Sequence, residues 1–389
     1  MNIPDPQPPA FDALLEKALY CSRYAKRVIE SDQALLDWLR KSYATQSNRG
    51  EIQELLQNSG HDLSDEAELG HAVRKVRTRV MVKLILRDLN GLAGLDEVML
   101  AMTALAEICV QLAQSCLMNA LQAQFGTPLG ETGGKPQQLL IIGMGKLGGC
   151  ELNVSSDIDL IFVYPEDGET NGIRKLSNHE FFMRMGKRLI NLISEHTADG
   201  FVFRVDMRLR PYGDSGPLVV SFAALEEYLL SQGREWERYA WIKARVVAPA
   251  DCPQIADLTR LVQPFMFRKY MDFGAIDSMR GLHAQIRQEV RRSDRLNNIK
   301  LGPGGIREIE FTAQVFQLIR AGREAKLRIR PTRLVLKLLA ENGHLSAQAV
   351  AGLDAAYVFL RNLEHRLQYL DDQQTQELPE KTEDQQVIA

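Results

Sequence analysis

Apolar positions recur at helical spacing over most of the chain and give way to strand-like runs only near its middle. Leu14, Leu15, Ala18 and Leu19 open an apolar stripe, and residues 10–125 read as helical. Asp96 to Phe125 is Ala- and Leu-rich without Gly or Pro; Asp96 is placed to cap its start, and Gly126 with Pro128 to stop it. Gly126–Pro136, rich in Gly, Thr and Pro, reads as a linker. The pattern then changes. Leu139–Ile142 is a short apolar run ending in glycine, Asp157–Tyr164 is a second run, and Phe201–Arg210 is a third strand candidate. The segment Gly149–Ser156 has room for one or two helical turns. Residues 177–196 return to helix. Ser177 and Glu180 have capping-box spacing, and Phe181, Phe182, Met185, Leu189, Ile190 and Ile193 form one stripe that Arg184, Lys187 and Arg188 avoid. Residues 222–295 are again helical in pattern. Trp236 and Tyr239, three apart there, are expected in the core rather than as a platform for a base. Gly302–Gly305 interrupts the chain, 306–321 and 332–371 read as helices, and the tail from Asp371 is polar. These elements predict a mostly α protein with a small mixed sheet flanked by helices. Its expected divisions are a helical region at 1–135, an α/β core at 136–250, a helical extension at 251–330 and a helical segment with polar tail at 331–389.

Composition narrows the field. A chain of 389 residues, 45% apolar and 25% charged, is ordinary for a globular protein of two or three domains. Lys plus Arg total 47 against 50 acids, so wholesale nucleic-acid binding is not expected, although a local basic cleft stays open. No run of about 18 apolar residues predicts a membrane span, and Met1–Asp5 lacks the basic start of a secretory signal. The five cysteines are odd in number and form no CxxC pair; reduced thiols of a cytoplasmic protein fit better than a disulfide framework or a zinc site. The seven histidines show no ligand spacing, and His196 and His283 read as structural or surface groups. Met183, Met185 and Met266 read as core.

The chemistry concentrates in the α/β segment. Gly143-Met-Gly145-Lys146-Leu-Gly148 matches G-x-G-x-x-G after a strand-like run. A dinucleotide site needs a helix of about three turns before the next strand. Here that strand begins at Asp157, which argues against the oxidoreductase reading and leaves a tight turn with or without a ligand. In Ser156–Phe162, strand alternation puts Asp157 and Asp159 on one face and Ile158, Leu160 and Phe162 on the other. The two carboxylates would lie about 7 Å apart and repel by roughly 2 kcal/mol at an effective dielectric of ~20. A divalent cation such as Mg²⁺ resolves that conflict; a solvated strand end is the alternative. In Phe201–Arg210, one alternation is apolar and the other holds Val202, Arg204, Asp206, Arg208 and Arg210. If this strand neighbours the second, Asp206 joins the pair and Arg208 and Arg210 face the bound anion, since guanidinium groups grip phosphate oxygens in pairs. A ladder of surface charges is the competing reading.

Together these residues resemble the nucleotidyltransferase superfamily, with a glycine turn, Asp-x-Asp twelve positions on and a third acid on a neighbouring strand. Lys146 stands where that signature usually carries serine. Residues 143–162, 203–221, 234–245 and 300–319 are similar to the family of glutamine synthetase adenylyltransferase and adenylyl-removing enzymes, and Val205–Pro211 with Gly304–Phe311 resembles its removing, amino-terminal half. The resemblance implies an α/β nucleotidyltransferase core in a longer bifunctional enzyme. It implies phosphorolysis of AMP from an adenylylated tyrosine of glutamine synthetase, with inorganic phosphate consumed and ADP released. Asp157, Asp159 and Asp206 would be catalytic and would hold Mg²⁺, two ions in the full site. Arg208 and Arg210 would bind the attacking phosphate, and Gly145, Lys146, Gly148, Gly149 and Ser156 the nucleotide phosphates. The family also implies a PII nitrogen-signalling protein as partner, with no nucleic acid and no membrane. Glu310, near the apolar stripe Ile306, Ile309, Ala313 and Phe316, either orients an active-site arginine or pairs internally with Arg307 or Lys300; the internal pair is the favoured expectation, and more strongly so for Glu308. The alternatives are adenylylation from ATP and a non-catalytic docking domain.

Overall fold

The computed structural model describes residues 11–268, 281 and 297–388. The amino-terminal reading at Met1–Asp5, His283 and, apart from residue 281, the part of the expected helical stretch from 269 to 295 lie outside the described residues. Four short helices open the fold: α1 (Phe11–Cys21), α2 (Arg23–Ser31), α3 (Gln33–Ser42) and α4 (Arg49–Gln57). They pack on two long ones, α5 (Glu66–Leu89) and α6 (Leu95–Phe125). Ser22, Asp32, Asn48 and Asp65 each accept an N–H of the first turn that follows, which sets where these helices begin. Asp96 does not cap α6. Gly94 holds that position, and Asp96 lies in the first turn, where it pairs with Arg333 at 3.0 Å. Gly126, at φ +82°, ends the helix as expected. By length and composition α6 could cross a membrane, but 78% of its most apolar window is buried inside the fold, where it packs on α5 and the sheet.

The expected linker carries β1 (Pro128–Gly130), which pairs with β4 (Gly168–Thr170). The main sheet is built from β2 (Leu140–Gly143), β3 (Ile158–Tyr164), β5 (Val205–Asp206), β6 (Val219–Ser221) and β7 (Arg245–Ala248). Strand β3 runs antiparallel to β2, and β2 antiparallel to β7. On its other edge β3 is parallel to β5, with Asp159 opposite Asp206, and then to β6, with Val163 opposite Val220. Alternation sorts the core. Ile141, Leu160 and Phe162 join the cluster that runs from Phe11 through α5 and α6, whereas Ile142, Ile161 and Val163 join Trp241 and Leu258 on the other face.

The third strand is much shorter than 201–210. Only Val205–Asp206 is strand; the chain leaves the sheet at Met207 and rejoins it at Val219. Arg208 folds back onto Asp206, and Arg210 donates to the carbonyls of Met207 and Gly216, which closes the excursion on itself. Val202, expected on the polar face, is fully buried. Gly149–Ser156 is irregular, and the single helical turn, α7 (Gly145–Gly148), precedes it. Helix α8 (Asn178–Ser194) starts at Ser177 as its capping box predicts, and Phe181, Phe182, Met185, Leu189 and Ile193 are buried.

Helices α9 (Phe222–Ser231) and α10 (Glu235–Trp241) are separated from α11 (Gln254–Met266) by β7, an unexpected strand within the helical pattern. Trp236 is 37% exposed and so is not core, whereas Trp241 is 3% exposed. Beyond Gly305 come α12 (Ile306–Arg320), α13 (Thr332–Glu341), α14 (Ala347–Tyr369) and a short α15 (Thr382–Ile388). The expected single helix over 332–371 is broken where Gly343 adopts φ +71° and Ser346 caps α14.

Candidate active site

Asp157 directly precedes β3, Asp159 is its second residue, and Asp206 is its parallel partner on β5. One carboxylate oxygen from each lies within 4.8 Å of the others, and all three residues are half-buried. The expectation that Asp206 joins the pair is met. Burial, then the charges of Asp157 and Asp206, push the Asp159 carboxyl up to about 7, against the opposing pull of Lys300 and Arg208. Asp206 is held below the usual carboxylate range by hydrogen bonds from Arg208, whose Nε and Nη2 lie 2.8 and 2.5 Å from its Oδ2. Gln374 donates to Asp157 Oδ1 at 2.7 Å. Three convergent carboxylates form an all-oxygen donor set that could hold a hard divalent cation, and a raised Asp159 marks a cluster short of positive charge.

The glycine turn is fastened to this cluster. Met144 N–H donates to Asp159 O at 2.9 Å. Gly145 sits at φ +49°, and a Cβ there would stand 2.9 Å from Asp159 Oδ2, so a side chain would be strained and would crowd the acid. At Gly148 a Cβ would come within 2.0 Å of Lys243 O and 2.4 Å of Gly143 O. Gly148→Ala is therefore expected to lose about 1–3 kcal/mol in urea denaturation as backbone shifts to make room; a midpoint equal to wild type would contradict this packing. The N–H groups of Gly148 and Gly149 bond to Met144 O and Gly145 O, and Ser156 is buried beside Asp157. Lys146 extends from the turn to Glu364, at 2.8 and 3.0 Å. Burial brings its pKa down to about 8 despite that partner. Arg208 is exposed on the rim, whereas Arg210 is folded into the 207–216 excursion.

Residues 13–259 match the family described as glutamate-ammonia ligase adenylyltransferase. The chain belongs to that family. Residues 280–389 match a second family, GlnD PII-uridylyltransferase. Among curated relatives, all named bifunctional glutamine synthetase adenylyltransferase/adenylyl-removing enzyme, that of Chromobacterium violaceum is 64% identical over 82% of the chain and 35% of its own length. That of Aromatoleum aromaticum is 56% identical over 96% and 39%, and that of Nitrosomonas eutropha 53% over 97% and 41%. The chain thus spans about two fifths of the length of these relatives.

In this member of the family, α14 from the second matched segment walls the site formed by the first. Tyr357, Arg361, Glu364, His365 and Gln368 are all fully buried along one of its faces. Arg361 donates to Tyr357 Oη at 2.5 Å, to Glu151 O at 2.6 Å and to Asn153 Oδ1. His365 Nε2 lies 3.2 Å from the same Asn153 oxygen, and Ser155 N–H donates to Gln368 Oε1 at 3.1 Å. Burial raises the Glu364 carboxyl, but Lys146 and Arg361 outweigh it and hold it at about 2. The stretch 234–245 braces the same loop, because Lys243 Nζ meets Glu151 at 2.6 Å. None of the α14 residues was a sequence candidate. Their signal is a polar stripe at helical spacing where a core face would be apolar. Glu310 makes no ion pair with Arg307 or Lys300; its charge acts on Lys146 and Arg361 instead. Glu308 accepts from Gly304 N–H.

Proposed function

We propose that this chain removes AMP from an adenylylated tyrosine of glutamine synthetase by phosphorolysis, in the cytoplasm. The observation that carries the reading is the convergence of Asp157, Asp159 and Asp206 beside the glycine turn. The names of the relatives supply the substrate class, and the likeness of Val205–Pro211 and Gly304–Phe311 to the removing half favours this direction over transfer from ATP.

An oxygen of inorganic phosphate attacks the adenylyl phosphorus, the bond to the tyrosine oxygen breaks, the phenolate leaves and ADP is the product. Asp157, Asp159 and Asp206 would hold Mg²⁺, as one or two ions. Bound there, the metal supplies charge neutralisation for the phosphoryl oxygens. Gln374 orients Asp157, and Met144 N–H ties the Asp159 backbone to the turn. Arg208, 73% exposed and anchored only by Asp206, can turn its guanidinium to the incoming phosphate. Arg210 shapes the excursion that carries it. Lys146, Ser156 and the Gly145–Gly149 turn would bind the nucleotide phosphates, and Lys300, whose charge reaches Asp159, adds a further cation. A phenol with a reference pKa near about 10 leaves readily once its charge is screened. A PII signalling protein is the regulator this reading implies.

The deciding assay supplies AMP-modified glutamine synthetase, phosphate and magnesium and follows ADP; unmodified enzyme with ATP is the opposing arm. ADP formation that Asp157→Asn reduces at least about a thousandfold supports the reading. AMP incorporation without ADP release would reverse the direction. Arg208→Ala should lower the unfolding stability by no more than about 1 kcal/mol, because Arg208 is itself exposed although its partner Asp206 is largely covered. It should raise the KM for phosphate about tenfold or more; an unaltered KM would remove Arg208 from the phosphate site.

A further inference from the structure

A second basin is lined by none of the three acids and none of the glycine turn. It is a cavity of about 740 Å³ between α2, α5, the Ala198–Arg204 segment and Asp371–Gln373. Its charges do not balance locally. Of the wall acids, Asp371 is paired with Arg23, Asp372 with Arg77 and Asp199 with His71, while Asp32 caps Leu35 N–H. Of the wall cations, Arg27, Lys75, Arg79 and Arg204 make no ion pair among the described residues. Arg204 spends its Nη2 on neutral acceptors, the Ser155 carbonyl and hydroxyl.

Two arginines on this wall are packed inward. Arg77 is 3% exposed, yet its Nε is buried without a hydrogen-bond acceptor, and so is the Nε of Arg204. Both guanidinium groups stand over the Phe201 ring, at 4.4 and 5.3 Å from its centroid. With every wall acid engaged, the unpaired Arg27, Lys75, Arg79 and Arg204 leave a surplus of positive charge that suits an acceptor carrying more than one negative charge.

We propose that this cavity binds a small polyanion, a dicarboxylate or a phosphate ester, through Lys75, Arg79, Arg27 and Arg204. The site is distinct from the acid cluster, which would repel such a ligand in the absence of metal. It nevertheless touches both supports of Asp157. Arg204 holds Ser155, two residues before that acid, and Gln373 on the wall precedes Gln374, which donates to it.

The test is calorimetric titration of the full chain in magnesium-free buffer, with glutarate as the carboxylate probe and inorganic tripolyphosphate as the phosphate probe. At least one should bind in the low-millimolar range or tighter, and which one does so identifies the acidic group. Lys75→Glu with Arg79→Gln should weaken that binding at least about tenfold, a change of about 1.4 kcal/mol. Lys75→Glu alone, at an exposed position, provides the same test by a smaller factor if the double variant does not fold. Arg208→Ala should leave binding unaltered. The proposal is overturned if neither probe binds, if the Lys75 variants bind as wild type, or if Arg208→Ala abolishes binding, since the anion would then lie at the acid cluster.

Discussion

Asp159→Asn is expected to stabilise the metal-free chain while eliminating adenylyl removal. The Asp159 carboxyl sits at about 7 in the fold against 3.8 for the free group, so the folded state holds its proton more tightly than the unfolded chain. For a raised acid the favourable contribution is complete below pH 3.8 and is lost as pH rises through about 7. At 1.36 kcal/mol per unit, the ionised fold carries a penalty of roughly 4 kcal/mol above neutrality. Asparagine cannot ionise, so the variant should lack this slope and unfold at higher urea concentration at pH 8, with the difference shrinking toward pH 4. Magnesium should stabilise wild type at pH 8 and leave the variant nearly unmoved. A variant less stable than wild type at pH 8 without metal would mean that the three carboxylates are already compensated, and the cation-site reading would fail with it.

Arg361→Met should be among the most damaging single changes outside the acids, at about 3–5 kcal/mol. The guanidinium is fully buried, bonds to Tyr357, Glu151 and Asn153, and lies 3.5 Å from the equally buried Glu364. Methionine fills much of the volume but leaves one carbonyl and one amide oxygen without their donor and Glu364 with Lys146 alone. Glu364, held at about 2 rather than 4.5, contributes stability that is present above pH 4.5 and lost as pH falls toward 2. Without Arg361 the Glu364 carboxyl is less depressed, so the variant should show a shallower loss of stability in acid and its deficit should narrow as pH falls. Urea denaturation at pH 7 and pH 4 reads both effects. A loss below about 1 kcal/mol would show that the α14 wall tolerates an apolar substitute.

The acid cluster was legible because its determinants are local. Period-two alternation pairs Asp157 with Asp159, and one strand pairing brings Asp206 alongside. The capping box at Ser177 and the stop at Gly126 were legible for the same reason. The excursion after Asp206 was not, because Phe201–Arg210 alternates as cleanly as a strand while Arg208 and Arg210 bind their own segment. Strand β7 was hidden inside a helical pattern, although Arg245-Val-Val-Ala followed by Pro249 is a strand signal that its long helical surroundings outweighed. The contribution of α14 was the least accessible. A buried Arg361 or Glu364 looks in sequence like any charged helix residue, and only the tertiary contact with Asn153 and Lys146 shows that its stripe faces inward. Glu310 shows the opposite case, since its expected pairing with Arg307 or Lys300 does not form.

The bond from Gln374 to Asp157 spans 217 residues of chain. Synthesis at about 5–20 residues per second leaves the two ends apart for roughly 10–40 seconds on the ribosome. Throughout that interval the acid-bearing loop lacks its clasp from the segment that follows α14, so a nascent chain carries the cluster unbraced until Gln374 has emerged.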